Sequence, residues 1–468
     1  MSQDTASFTR VLRRGDVIAV AFGAMIGFGW IVRTGDFVGG AGSVGAALAF
    51  VIGGIVIAFV GLTYAELVAA MPTAGGEHNY ALRAMGSRPA FVTSWALVLG
   101  YVTVAAFEAV ALPQTLLYLF PDMLAGRMWS VAGSDVHVTW VAVGIGGAVL
   151  MTVINYIGVR PAAVFQMVAV LFLGACGLTL LTGSFVGGDP GHLEPLFTGG
   201  ALGVIGVLVA TPFFYVGFDV IPQSAEEINV PARRIGQLLL VSVALAVVWY
   251  AMIMLTVGTS MPVSDLVKTD LASADGMAAL WDSRLMGQLL VLGGIAGILT
   301  SWNAFLIGAS RLVYAMAHSG MLPRWFGRLH PRFRTPSNAL LFIGVLSGAA
   351  PLFGEQTLVW LVDAGGINIV VAFFMVAVSF VILRVREPAM ERPFRVRGGV
   401  PVGVVAAVLA LGLGVLYLPG MPAALIWPYE WVIVGLWWLL GLVFVLRTPS
   451  VAGGHDAEER LLLHTRRT

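Results

Sequence analysis

Run after run of apolar residues, each about as long as a bilayer is thick, constrains this chain more than any other feature. A helix needs ~20 predominantly apolar residues to cross the hydrocarbon core. A window of ~19 residues predicts spans near 17–40, 44–70, 91–120, 138–157, 161–186, 201–222, 235–260, 286–315, 337–354, 357–384, 400–418 and 425–447, twelve in all. Charged residues make up only 11% of the chain, against about 25% in soluble globular domains, so a water-soluble fold is excluded. The first fifteen residues are polar, and the first apolar run is too long for the core of a cleavable signal peptide. That span is expected to stay and anchor the chain. Cys176 is the only cysteine and can form no internal disulfide.

Orientation follows from the loops, because arginine and lysine collect on the cytoplasmic side. Arg10, Arg13 and Arg14 precede the first span, and every second loop is basic, as in Arg83 and Arg88, Arg233 and Arg234, or Arg324, Arg328, Arg332 and Arg334. The alternate loops hold only Arg127, Lys268 and Arg284, the last two among acids. This predicts a multi-pass protein of the cytoplasmic membrane with both termini in the cytoplasm: residues 1–16 at one end and 448–468 at the other.

Two spans are poor helix material. Gly23-Ala-Met-Ile-Gly-Phe-Gly-Trp30 has three glycines in seven residues, each costing about 1 kcal/mol relative to alanine inside a helix. Thr211-Pro-Phe-Phe-Tyr-Val-Gly-Phe-Asp219 carries a proline and a glycine. Lipid satisfies no backbone polar group, so an interrupted helix survives only where it is buried in protein or lines a cavity. The two breaks open two sets of five spans, residues 17–186 and 201–384, with spans at 400–447 left over. An odd number of spans inverts the second set in the membrane. The predicted fold is therefore all-α and integral to the membrane: twelve transmembrane helices, a 5+5 inverted repeat with broken first and sixth helices, and two additional helices. Interrupted helices at matching places in two halves point to a transporter's binding site.

At these residues the chain resembles the amino acid–polyamine–organocation superfamily. Gly23 to Ile31 is similar to that family's first-span motif G-x-x-x-G-x-G-I/V-F. Further likenesses follow in the family's order: Tyr64-Ala-Glu-Leu with Met71-Pro-Thr-Ala-Gly-Gly-Glu77; Gly217-Phe-Asp with Ala225-Glu-Glu-Ile-Asn-Val-Pro231; Ser310 to Ala317 with Gly320-Met-Leu-Pro323; and Arg392-Pro-Phe-Arg395. The resemblance implies the leucine-transporter-like fold and ion-coupled transport of an amino acid or related organic amine by alternating access. An exchanger, or a sensor of the same fold that no longer transports, stays open beside it.

The resemblance also implies a substrate site. The amides of Phe28 and Gly29, with Gly27 between the broken ends, are expected to face a carboxylate, and the carbonyls of Met25, Phe213 and Val216 an amine. Phe213 matches an aromatic gate and Phe305 a bulky position beneath the substrate; Tyr215 is a further candidate. Glu108 lies mid-span, where an acid costs about 2.5–3.5 kcal/mol to insert. It is expected to bind a cationic group, carry a coupling proton, or serve as a neutral structural acid. Asp219 is a second proton candidate, or pairs with the broken helix. Thr300 and Ser301, with the carbonyls of Gly23 and Ile26, match a sodium site, which the i−4 bonding habit of hydroxyls in helices rivals. Sodium or a proton is the expected coupling ion; no other cofactor, metal, nucleic acid or obligatory protein partner is implied. No metal-ligand cluster or nucleophile–base pair suggests an enzyme.

Overall fold

The computed structural model describes residue 8 and residues 10–27, 29–421 and 423–465. In chain order its helices are α1 (Arg14–Met25), α2 (Gly29–Val32), α3 (Thr34–Ala41), α4 (Ser43–Ala70), α5 (Glu77–Met85), α6 (Ser87–Leu119), α7 (Val138–Tyr156), α8 (Val159–Val186), α9 (Gly200–Leu208) and α10 (Thr211–Tyr215). They continue with α11 (Val220–Gln223), α12 (Ala232–Gly258), α13 (Val263–Leu266), α14 (Ala272–Leu280), α15 (Arg284–His318), α16 (Ser337–Ala349), α17 (Thr357–Arg386), α18 (Gly399–Val415), α19 (Tyr429–Arg447) and α20 (Ala457–Thr465). Eight of them, α4, α6, α7, α8, α12, α15, α17 and α19, are long and apolar enough to cross a membrane, and α16 and α18 are shorter apolar helices. The chain is a multi-pass membrane protein.

Burial sorts these helices. In α6 and α15 the most apolar stretch is 94% and 83% buried, against 17% in α19. The first two therefore form the centre and α19 rides on the outside. Polar residues on α6 and α15 consequently face protein and not lipid. Helix α1 packs against α8, α12 and α15, and α4 lies along α12.

Elements outside the expected spans are local in origin. Between α6 and α7, strands β1 (Arg127–Val131) and β2 (Ser134–His137) form an antiparallel hairpin. Its turn residues Ala132 and Gly133 both have positive φ (50° and 87°), the geometry that matches strand twist in two-residue hairpins. Trp129 Nε1 donates to Leu352 O at 2.9 Å and lays the hairpin on the α16–α17 connection.

One end of the molecule is laced by buried polar contacts. Glu66 takes Arg384 and Arg392 (2.5 and 3.0 Å), and Arg311 pairs with Glu227 at 3.0 Å, both sides 1% exposed. The amides of Val11 and Leu12 each donate to Glu227 O at 2.9 Å, tying the segment before α1 to the loop after α11. Arg83 reaches Glu387 at 2.6 Å. In the same region His78 is fully enclosed, its Nδ1 3.1 Å from Ser94 Oγ and its Nε2 2.9 Å from Ser319 Oγ.

Burial lowers the His78 pKa from 6.5 to about 4, so the unfolded chain takes up a proton before the folded one does. Stability from the neutral ring is complete above pH ~6.5 and is lost as pH falls toward 4, by about 3 kcal/mol at 1.36 kcal/mol per unit. The expected outcome is a melting temperature in detergent that falls over this window more steeply in wild type than in His78→Gln. Equal pH slopes would contradict it.

Candidate binding site at two interrupted helices

The first apolar run does break. Helix α1 ends at Met25, and Ile26 leaves helical geometry (φ −107°, ψ 64°) while its amide still reaches Phe22 O at 3.0 Å. The chain re-enters a helix at Gly29. Phe28, a sequence candidate, lies outside the described residues. A methyl group placed on Gly297 of α15 would stand 2.9 Å from Ile26 O and 3.3 Å from Gly27 O. That missing side chain lets the freed carbonyls press against α15.

The second run breaks twice. Pro212, which has no N–H, sits in the first turn of α10, and the gap between α9 and α10 leaves Val209 O to accept from the Tyr417 hydroxyl at 3.0 Å. After α10, Val216 is extended (φ −60°, ψ 141°) and Gly217 has φ +131°, a conformation that side chains rarely adopt. Asp219 Oδ1 accepts from Gly217 N at 2.7 Å and holds this turn. A methyl group on Gly217 would lie 2.6 Å from Ala24 Cβ and 3.0 Å from both Ala24 C and Met25 N. The two breaks therefore rest directly on one another.

Beside this contact is a cavity of about 20 Å³ among buried residues, lined by Met25, Gly27, Gly29, Glu108, Ser301 and five aromatic rings: Phe107, Phe213, Phe214, Tyr250 and Phe305. Such a space holds about one water. The Glu108 carboxyl is pressed onto the Cα face of Gly27, and the Phe214 ring onto that of Gly29, so neither position has room for a side chain. The Tyr250 hydroxyl donates to Met25 O at 2.6 Å. Ser301 Oγ is buried with no hydrogen-bond partner among the described residues.

Of the sequence candidates, Met25, Gly27, Gly29, Glu108, Phe213, Phe305 and Ser301 meet at this cavity, whereas Tyr215 and Val216 do not line it. Tyr215 turns away, donating to Phe50 O at 2.8 Å. Thr300 Oγ1 stands 3.2 Å from Gly23 O and 2.9 Å from Gly297 O. Asp219 lies beyond the cavity, at the second break. Sequence reasoning missed Phe107, Phe214 and Tyr250. It also missed a buried amide chain: Asn155 Nδ2 donates to Asn303 Oδ1 (2.8 Å), Asn303 Nδ2 to Gln166 Oε1 (2.8 Å), and Gln166 Nε2 to Ala19 O (3.1 Å). An amide side chain within the apolar run of each of three helices was the available signal.

Residues 14–446 match the amino acid permease family. This chain belongs to that family. The permease is 28% identical to the methylthioribose transporter of Bacillus subtilis (strain 168), over 94% of each chain. It is 25% identical to the branched-chain amino acid permease BcaP of the same organism, over 93% of this chain and 92% of the relative. The aspartate-proton symporter of that organism is 25% identical, over 84% of the permease and 76% of the relative.

Because Glu108 fills the face of Gly27, Gly27→Ala should overpack the site, at a cost of typically ~1–3 kcal/mol. The expected outcome is a lower melting temperature, partly recovered in Gly27→Ala/Glu108→Ala, because the added methyl group also meets Ser301. A Gly27→Ala protein that melts like wild type would show that the two residues are not in contact.

Proposed function

We propose that this permease is a secondary active transporter of an amino acid or related organic amine, working by alternating access in the cell membrane and coupled to an ion. The reading includes twelve spans in a 5+5 inverted arrangement plus two, with both termini cytoplasmic. The observation that carries it is the seating of Gly217 on Ala24 and Met25, which brings two interrupted helices to one small cavity.

The chemistry suits a zwitterion. Met25 O is already an acceptor for Tyr250, but a carbonyl has two lone pairs and can take an ammonium as well. Amides at the start of α2 face the other charge, where a helix N-terminus favours an anion. The aromatic walls suit an apolar or extended body. Glu108 either meets a second cationic group or carries a proton; with a neutral cargo, the protonated acid serves as a hydrogen-bond donor. At about 20 Å³ the cavity must enlarge to admit any amino acid, and Phe213 and Phe214 are the rings assigned to swing.

For the ion, Thr300 and Ser301 with the carbonyls of Gly23 and Ile26 form an oxygen-rich corner fit for sodium in outline. A proton on Glu108 or Asp219 is the competing carrier. The relatives' names span branched-chain, acidic and sulfur-bearing cargo, so the cargo has to be measured. In proteoliposomes loaded with the purified protein, radiolabelled leucine, arginine, aspartate and methylthioribose, each under an imposed pH or Na⁺ gradient, should give accumulation of at least one solute driven by one gradient. Glu108→Gln should lower that accumulation at least tenfold. Exchange without accumulation supports an exchanger, and binding without flux supports a sensor.

A further inference from the structure

Among the described residues, Glu77 and Asp219 are buried near one another with no arginine paired to either. Glu77 opens α5, and Asp219 closes the second break; both are fully enclosed. Tyr64 from α4, Tyr80 from α5, Tyr101 from α6 and Gln223 from α11 surround them, each fully enclosed as well. Gln223 Nε2 donates to Glu77 Oε2, and Asp219 Oδ1 is held by Gly217 N at 2.7 Å. The Tyr64 hydroxyl is turned to Glu77 and the Tyr101 hydroxyl to Asp219. Even so, among the described residues six polar atoms close no hydrogen bond of good geometry: Glu77 Oε1, Asp219 Oδ2, Gln223 Oε1 and the three hydroxyls.

Among the described residues no cation is paired with either acid. Glu66 and Glu227, the other acids buried in this region, are each matched by arginine. Neither Glu77 nor Asp219 forms an ion pair among the described residues. His78 follows Glu77 in the chain but is spent on Ser94 and Ser319. Helix α17 presents Phe373 to Tyr64, and α15 meets Tyr101 at Gly308. Two ionised carboxylates in one dry site repel, so one of them keeps its proton, and the two titrate as a pair. Burial, reinforced by the charge of Asp219, raises the pKa of Glu77 well above the ordinary glutamate range.

We propose that Glu77 and Asp219 share one proton, and that this pair, not a lone acid, carries the coupling proton of the permease. The proposal rests on the transport reading above and chooses between its two ions. Position makes the pair a coupling device. Asp219 holds Gly217, which abuts Ala24 and Met25 at the cargo site. Glu77 clasps Gln223 across the loop from α5, where a methyl group on Gly76 would meet Pro222 Cβ at 2.6 Å. With this face closed, one carboxyl is a neutral acid and the other a carboxylate. Opening draws α11 from α5, water enters, the acid's O–H bond breaks, and the proton leaves to cytoplasmic water, giving two carboxylates. One proton taken up through the central cavity restores the pair. The route passes Phe305, whose ring centroid is 5.4 Å from that of Tyr101.

The test has two arms. Infrared titration of the permease in nanodiscs follows the carbonyl stretch of protonated carboxyls, with Glu77→Gln and Asp219→Asn identifying the bands. Removing either acid should lower the midpoint of the other by at least about one pH unit, the measure of a coupled pair. A midpoint that stays in place in both variants overturns the proposal. Asp219→Asn reads the coupling by itself should Glu77→Gln not be recovered folded. In proteoliposomes, accumulation of leucine, arginine, aspartate or methylthioribose under a pH gradient should fall at least tenfold in Glu77→Gln, while the residual exchange loses its pH dependence. Wild-type-like pH-driven accumulation in Glu77→Gln also overturns it. Absence of wild-type flux for every solute counts against the transport reading instead, and the infrared arm still decides whether the proton is shared.

Discussion

A lipid bilayer accepts no bare amide or carbonyl, and the rest of this structure follows from the way two interrupted helices meet that demand. Each break frees backbone groups that a continuous helix would have consumed. The first break presses its carbonyls on Gly297, and the second seats Gly217 on Ala24 and Met25. Neither arrangement tolerates a Cβ. The glycines are therefore close-approach positions, and the cavity exists because side chains are missing there. Around it the chain spends its bulk: five aromatic rings shut the space to about 20 Å³.

The acids show a division of labour set by their partners. Glu66 and Glu227 are buried with arginines and fasten one end of the molecule. Breaking such a pair strands a charge and is strongly destabilising, so these residues suit a closed latch. Glu77 and Asp219 are buried with hydroxyls and an amide, partners that accommodate either protonation state. The partners alone thus separate acids held by arginine from acids held by neutral groups. The amide chain from Asn155 through Asn303 and Gln166 to Ala19 is a third class, neutral and largely satisfied, bracing α1 against α7, α8 and α15.

Much of the fold could be read in the sequence because lipid makes periodicity and composition decisive. Helix α4 runs Ser43–Ala70 where the apolar run suggested 44–70, and α6 runs Ser87–Leu119 where it suggested 91–120. Glycines at 23, 27 and 29, Pro212 and Gly217 mark the interruptions because each removes a hydrogen bond or a side chain. Which ring of Phe213-Phe214 lines the cavity was not legible; both do. Phe107 and Tyr250 sit in ordinary apolar runs and gain meaning only from contacts across the fold. Glu77 and Asp219 are more than a hundred residues apart in the chain, so no local pattern announces that both are buried in one region. Tyr215 looked equivalent to its neighbours in sequence, but the extended turn at Val216 leaves it bonded to Phe50. The hairpin at Arg127–His137 escaped notice because a span search reads polar connections as loops.

Backbone released at the two breaks grips the cargo: that is the central claim. It is tested most directly by a cryo-electron microscopy structure of the permease bound to a solute shown to be transported. The account predicts density in an enlarged cavity, its polar groups within hydrogen-bonding distance of main-chain atoms in 25–29 and 213–217. Density held by side chains elsewhere, with those main-chain groups uninvolved, would contradict it.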